Sequence, residues 1–189
     1  FLTCFNSDKE ILFPDITYSF YDVWADLFKI PYKTIPLDVD FRIKKEDYFT
    51  ENGGIVFPNP NAPTAVEMPL SDVEDIIAKN PNVVVIVDEA YVDFGGTSAL
   101  KLIDKYDNLL VVRTYSKSRA MAGMRIGYAI GNEELISKLK AVKFSYNSYT
   151  MNMPSIEAGV AAIEDDDYFR EIVGKIITTR EKAKEELKK

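Results

Sequence analysis

Lys117 lies in the stretch TYSKSRAMAGMRIG (114–127), directly after the apolar run NLLVVR (108–113). A strand that delivers a lysine into a turn, flanked by Thr114 and Ser116 and followed by Arg125, offers an amine and an anion site together. An amine kept partly neutral, by a neighbouring cation such as Arg125 or by desolvation, is a competent nucleophile toward an aldehyde. Thr114, Ser116 and Arg125 supply two hydroxyl donors and a guanidinium fork, which suit a phosphate. Asp88 ends the apolar run of NVVVIVDEA (82–90). A carboxylate placed there needs a partner. It can serve as a helix cap or structural ion pair, or it can hold a protonated ring nitrogen. Glu89 points the other way along the strand and reads as structural. Tyr91 can donate to an oxygen or simply pack. Tyr18 can stack on a flat ligand or join the core, and Tyr21, Tyr146 and Tyr149 are further aromatics that spacing leaves unplaced. Each of these residues also has an ordinary use in a fold, and a lysine in a loop is most often only solvated.

The elements that must position them alternate. EILF (10–13), YKTIPL (32–37), GIVFPN (54–59), NVVVIVDEA (82–90), LLVVRT (109–114) and RIGYAIG (125–131) read as strands. Between them lie helical patterns: YSFYDVWADLF (18–28) capped by Thr17, PLSDVEDIIAK (69–79) with Pro69 in its first turn, a short helix at 98–105, and EELISKLKAVKF after the cap Asn132. Residues 155–165 and 167–189 are helical. Alternation of this kind predicts an α/β fold, a three-layer αβα arrangement with an open, mostly parallel sheet covered on both faces and one strand antiparallel. Ligands of such sheets sit at the C-terminal strand ends. Tyr18, the Asn59-Pro60-Asn61 loop, Asp88, Tyr91 and Thr114 to Lys117 all follow strands, so the topology gathers them on one edge.

Composition narrows the chemistry. The 189 residues hold no histidine, which removes Ser-His-Asp and Cys-His catalysis and the usual zinc sites. No metal site is expected, and the acidic Asp165–Asp167 turn reads as solvated. The one cysteine, Cys4, cannot form a disulfide within the chain, which suits a reducing cytoplasmic setting. A net charge of −7 disfavours nucleic acid as a partner. No apolar run is long enough for a membrane helix, and no G-x-G-x-x-G follows the first strand, as a dinucleotide-binding fold would require. The sequence begins without an initiator Met and ends in a charged helical run, TTREKAKEELKK, and reads as a segment of a longer protein.

Taken together, an amine for an aldehyde, a carboxylate for a ring nitrogen, hydroxyls and arginine for a phosphate and a tyrosine for a ring face describe pyridoxal 5′-phosphate. The motifs VDEAY (87–91), T-x-S-K and R-x-G-Y within 114–128, N-P-N-x-P-T (59–64) and P-x-x-T-Y (14–18) occur in the order found in the fold-type I pyridoxal-phosphate aminotransferases. The sequence resembles that family along nearly its whole length, most closely the histidinol-phosphate aminotransferases. The resemblance implies that Lys117 condenses with the cofactor aldehyde and carries the proton between substrate and cofactor. It also implies that Asp88 pairs with the ring nitrogen, Tyr91 bonds the 3′ oxygen, Tyr18 stacks on the ring, and Thr114, Ser116 and Arg125 hold the phosphate.

By the same resemblance, residues 1–165 are a cofactor-binding large domain lacking its N-terminal part, and 166–189 a helix leading to a small domain. The substrates are of amino-acid type, with glutamate and 2-oxoglutarate as the amino pair, and the intact protein is a homodimer. Two positions depart from the family motif. Its ring-contacting Asn is Ala62 here, so the contact is absent or Asn61 supplies it from a shifted backbone. Its final Gly is Ala65, a restriction if that position needs positive φ. A decarboxylase of the same fold, acting on threonine phosphate, and a truncated chain without activity are the competing readings.

Overall fold

The structure is a computed structural model that describes residues 1–188. Six strands form one sheet: β1 (Ile11–Pro14), β2 (Tyr32–Ile35), β3 (Ile55–Pro58), β4 (Val85–Asp88), β5 (Leu109–Thr114) and β6 (Gly127–Gly131). Their order is β2-β1-β3-β4-β5-β6. All pairs are parallel except β5 with β6, which is antiparallel. Among the described residues five α-helices accompany them: α1 (Tyr21–Phe28), α2 (Leu70–Lys79), α3 (Glu133–Tyr146), α4 (Met153–Glu164) and α5 (Asp166–Leu187).

The sheet is apolar on both faces because successive strand residues point to opposite sides. Leu12, Ile55, Phe57, Val85, Val87, Leu109 and Val111 pack on one face against Val73, Ile76 and Ile77 of α2. Ile11, Phe13, Val56, Ile86 and Leu110 pack on the other against Tyr21 and Ala25 of α1 and Leu135 of α3. The three layers inferred from sequence follow from this alternation. Each fully buried aliphatic side chain contributes about 1.5–3 kcal/mol, so both helical layers are held mainly by burial.

Several local expectations change. Thr17 does not cap α1; the helix starts after Phe20, without a side-chain cap, and the Thr17 hydroxyl bonds Asn61 instead. Pro69 is itself the N-cap of α2. The long apolar run at 82–90 yields a strand only over Val85–Asp88, since Val83 N–H turns back to Asn80 O. The helix expected at 98–105 is a single 3₁₀ turn, Ala99–Leu102, started by the Ser98 hydroxyl accepting from Leu100 N–H at 3.0 Å. Asn132 does cap α3, its Oδ1 accepting from Leu135 N–H at 2.8 Å. Asp165 caps α5 in the same way. That helix lies against the turn at 92–94, where Arg180 Nη1 donates to Phe94 O at 2.8 Å. Lys189, the last residue of the expected connecting helix, lies outside the described residues.

Candidate active site

The C-terminal ends of β3 and β4 lie level, with Pro58 beside Asp88, and Asp88 lies beside Val112 of β5, which runs on two residues to Thr114. A cavity of about 400 Å³ opens over this edge, lined among others by Tyr18, Asp88, Tyr91, Thr114, Ser116, Lys117 and Arg125. That volume is within the range of small-molecule sites, about 300–1,000 Å³. Parallel strands that end on the same side of the sheet create it, because each chain must leave the sheet there and carries its turn residues to the same rim.

Lys117 is exposed, and its Nζ stands 5.2 Å from the centroid of the Tyr91 ring. Among the described residues it makes no ion pair, so the amine faces the cavity uncommitted. Its neighbours are anchored on both sides. The buried Ser118 hydroxyl donates to Asp93 Oδ2, and Arg119 donates to Ala162 O while its guanidinium lies 4.1 Å from the Phe169 ring centroid. The turn carrying Lys117 is therefore tied to the loop after β4 and to α4 and α5. The Thr114 hydroxyl accepts from Ser116 N–H at 3.0 Å and donates to Ile126 O at 3.3 Å, which shapes the same turn. Arg125 has φ 56° and ends the 3₁₀ turn Ala122–Met124, and its Nη1 donates to Ala122 O at 3.0 Å.

Asp88 is held from behind. Its Oδ1 accepts from Ala90 N–H at 3.1 Å, and its Oδ2 accepts from the Tyr21 hydroxyl at 2.9 Å. Burial raises the Asp88 carboxyl above its ordinary value, while the bonds from Tyr21 and Ala90 work against that rise. Burial, and then the charge of Asp88, push the Tyr21 phenol well above its usual range, so Tyr21 stays a donor. Glu89 is 3% exposed and structural, as its position on the strand suggested: it accepts from Ser98, from Ala99 N–H and from Arg113, whose Nη2 is 2.7 Å away.

Tyr18 keeps its ring at the rim, stacked on Phe20 with centroids 5.7 Å apart. Asn61 is the expected site residue that the structure sets apart from this cavity. It is 2% exposed, and its amide donates to Ile16 O and Thr64 Oγ1 while its oxygen accepts from Thr17. Ala62, not Asn61, lines the cavity. The side chain of Asn61 is consumed in fastening its own loop, and a loop residue's bonding partners are not legible from spacing. Tyr21 is the residue that sequence reasoning left unplaced. The structure buries its ring in the core, and the need of a buried phenol for a partner was the available clue. Tyr146 and Tyr149 are 92% and 93% exposed and outside the cavity.

An open amine, a carboxylate held by two donors, a hydroxyl and guanidinium group and an exposed aromatic face suit a flat, anionic, nitrogen-containing aldehyde. The chemistry of this donor set fits pyridoxal phosphate. Comparison with known proteins points the same way. The family model for aminotransferase class I and II matches residues 1–189. The chain is 55% identical over 181 residues to histidinol-phosphate aminotransferase 1 of Hydrogenovibrio crunogenus, covering 96% of this chain and 51% of that protein. The crystal structure of the histidinol-phosphate aminotransferase from Clostridium acetobutylicum superposes with a TM-score of 0.90 at 25% identity, covering 98% of this chain and 57% of that one. The Sinorhizobium meliloti histidinol-phosphate aminotransferase, solved in complex with pyridoxal-5′-phosphate, gives 0.82 at 21% identity, over 93% and 49% of the two chains. The chain spans about half the length of the curated relatives it matches.

Proposed function

The chain belongs to the class I and II aminotransferases, and from that premise we propose that it forms the pyridoxal-phosphate-binding part of a histidinol-phosphate aminotransferase. The observation that carries the reading is the convergence of Lys117, Asp88 and the Thr114–Ser116–Arg125 group on one cavity at the strand ends. When bound, pyridoxal phosphate supplies an aldehyde that exchanges with amines and a protonated ring that accepts electrons. Lys117 Nζ is the amine that holds the aldehyde carbon, and as a free amine it takes and returns the proton at the substrate Cα. Asp88 keeps a proton on the ring nitrogen. Tyr18 covers a ring face, and the Tyr91 hydroxyl donates a hydrogen bond to the ring's oxygen substituent. Ser116 and Arg125 bind the phosphate, with Thr114 shaping their turn. Asn61 contributes by fastening its loop through its amide rather than by contacting the cofactor.

The reaction is amino transfer between histidinol phosphate and 2-oxoglutarate, giving imidazole acetol phosphate and glutamate, a step of histidine biosynthesis. It runs in the cytoplasm, in a homodimer. Residues 1–165 form the cofactor-binding domain, and 166–189 lead toward a further domain of the intact enzyme. No helix among the described residues is long and apolar enough to cross a membrane. The high identity to a histidinol-phosphate aminotransferase favours this substrate over a decarboxylase of the same fold.

The test is the absorption spectrum of the protein with added pyridoxal phosphate, followed by borohydride reduction and peptide mapping. A visible imine band with the label on Lys117 is expected, lost in Lys117→Ala. A label on another lysine, at normal yield in Lys117→Ala, overturns the assignment. Turnover of histidinol phosphate with 2-oxoglutarate then checks the substrate.

A further inference from the structure

We propose that Tyr21 is a positioning residue for the reaction, holding the Asp88 carboxylate, as an anion, toward the ring nitrogen of the bound cofactor. The inference rests on the pyridoxal phosphate reading above and adds a residue that the cavity lining does not contain. Tyr21 is the first residue of α1 and is 2% exposed. Its ring is fixed by the core, stacked 6.1 Å from Phe1 and edge-on 5.9 Å from Phe13. Its hydroxyl reaches out of that core to Asp88 Oδ2 at 2.9 Å.

The carboxylate is thereby gripped twice, by a phenol on one oxygen and by the Ala90 N–H on the other. Two donors fix the plane of the carboxylate and favour its charged form, which burial alone would disfavour. Asp88 lines the cavity and Tyr21 does not, so Tyr21 acts only through Asp88. The charged groups around Asp88 do not replace it: Glu89 opposes the anion, and Lys117, which favours it, is the reacting amine. A buried tyrosine needs a hydrogen-bond partner in any case. A purely structural bond would therefore support the fold without regard to what binds the cavity. A positioning bond is felt only by a ligand that has a ring nitrogen for Asp88 to hold.

That difference sets the experiment, performed on the full-length protein. Tyr21→Phe keeps the ring and its aromatic contacts and removes the hydroxyl. Two probes are bound by equilibrium dialysis: pyridoxal phosphate, and its 1-deaza analogue, in which a C–H replaces the ring nitrogen. Hydrogen bonds to charged groups predict that Tyr21→Phe weakens pyridoxal phosphate about ten-fold and the deaza analogue less than about two-fold. In an Asp88→Asn background, Tyr21→Phe has no further effect on pyridoxal phosphate. Equal loss of both probes, no loss of either, or a penalty that persists in Asp88→Asn overturns the inference. A folding defect weakens both probes alike and so counts among the contrary results. A wild-type protein that forms no imine on Lys117 sinks the functional reading itself, whereas normal imine formation with equal loss of both probes sinks only the role of Tyr21.

Discussion

Asp88 occupies an uncomfortable place for a charge. It ends a strand of buried aliphatic residues, and desolvation raises its carboxyl above the ordinary value despite its two donors. A carboxyl whose folded pKa exceeds its unfolded one binds more protons in the folded state. Its contribution is therefore most favourable below the ordinary aspartate value, about 3.9, and is lost as pH rises through the raised folded value. Asp88→Asn removes this dependence. In the cofactor-free protein, the melting temperature of Asp88→Asn relative to wild type should climb as pH is raised from about 4 toward neutral. A difference that stays flat with pH contradicts the account.

At the scale of elements, two connections decide how the site is held. The loop after β3 turns on Ala65, whose φ is 59°. A side chain in the left-handed region costs roughly 1–2 kcal/mol, and glycine avoids this while losing more freedom on folding. Ala65→Gly should thus raise stability by about 0.5–1 kcal/mol in denaturant melts, with no loss of the Asn61 hydrogen bonds that close the loop. A destabilised variant would show that the turn relaxes around alanine. The ends of β4 and β5 are tied by Glu89 and Arg113, whose side chains are only 1% and 18% exposed. Breaking a buried pair from one side leaves a charge uncompensated, so Arg113→Met should cost about 3 kcal/mol by the same melts. Because Asp88 and Thr114 sit at those same strand ends, this variant should also weaken the imine band. A change below about 1 kcal/mol would mean that Ser98 and Ala99 satisfy Glu89 alone.

The molecule leaves apolar surface on α3 and α4, among other places. Met153, Ile156, Val160 and Ile163 of α4 are 41–64% exposed, and Phe144 and Tyr146 of α3 are 60% and 92% exposed. Among the described residues β6 pairs only with β5 and presents a free edge. Exposed apolar patches and open edges favour association, and a net charge of −7 opposes it. Sedimentation of the 189-residue chain should show self-association that strengthens as salt screens the charge. Ile156→Glu with Ile163→Glu should reduce it. A chain that stays monomeric at high salt contradicts this.

The sequence by itself determined the layers, the strand sequence and the placing of Lys117, Asp88, Thr114 and Ser116 at strand ends, because hydrophobic period and residue type act locally and survive without partners. LLVVRT (109–114) could be read as a strand to the residue, and Asn132 as a cap, for that reason. Only the tertiary structure decided which polar groups meet. Thr17 and Asn61 are 44 residues apart and bond each other, and Tyr21 finds Asp88 across 67 residues. A hydrogen bond depends on distances of a few tenths of an ångström between groups that the sheet brings together. No spacing along the chain encodes that, so the fold alone turned Asn61 into a loop fastener and Tyr21 into the donor behind the carboxylate.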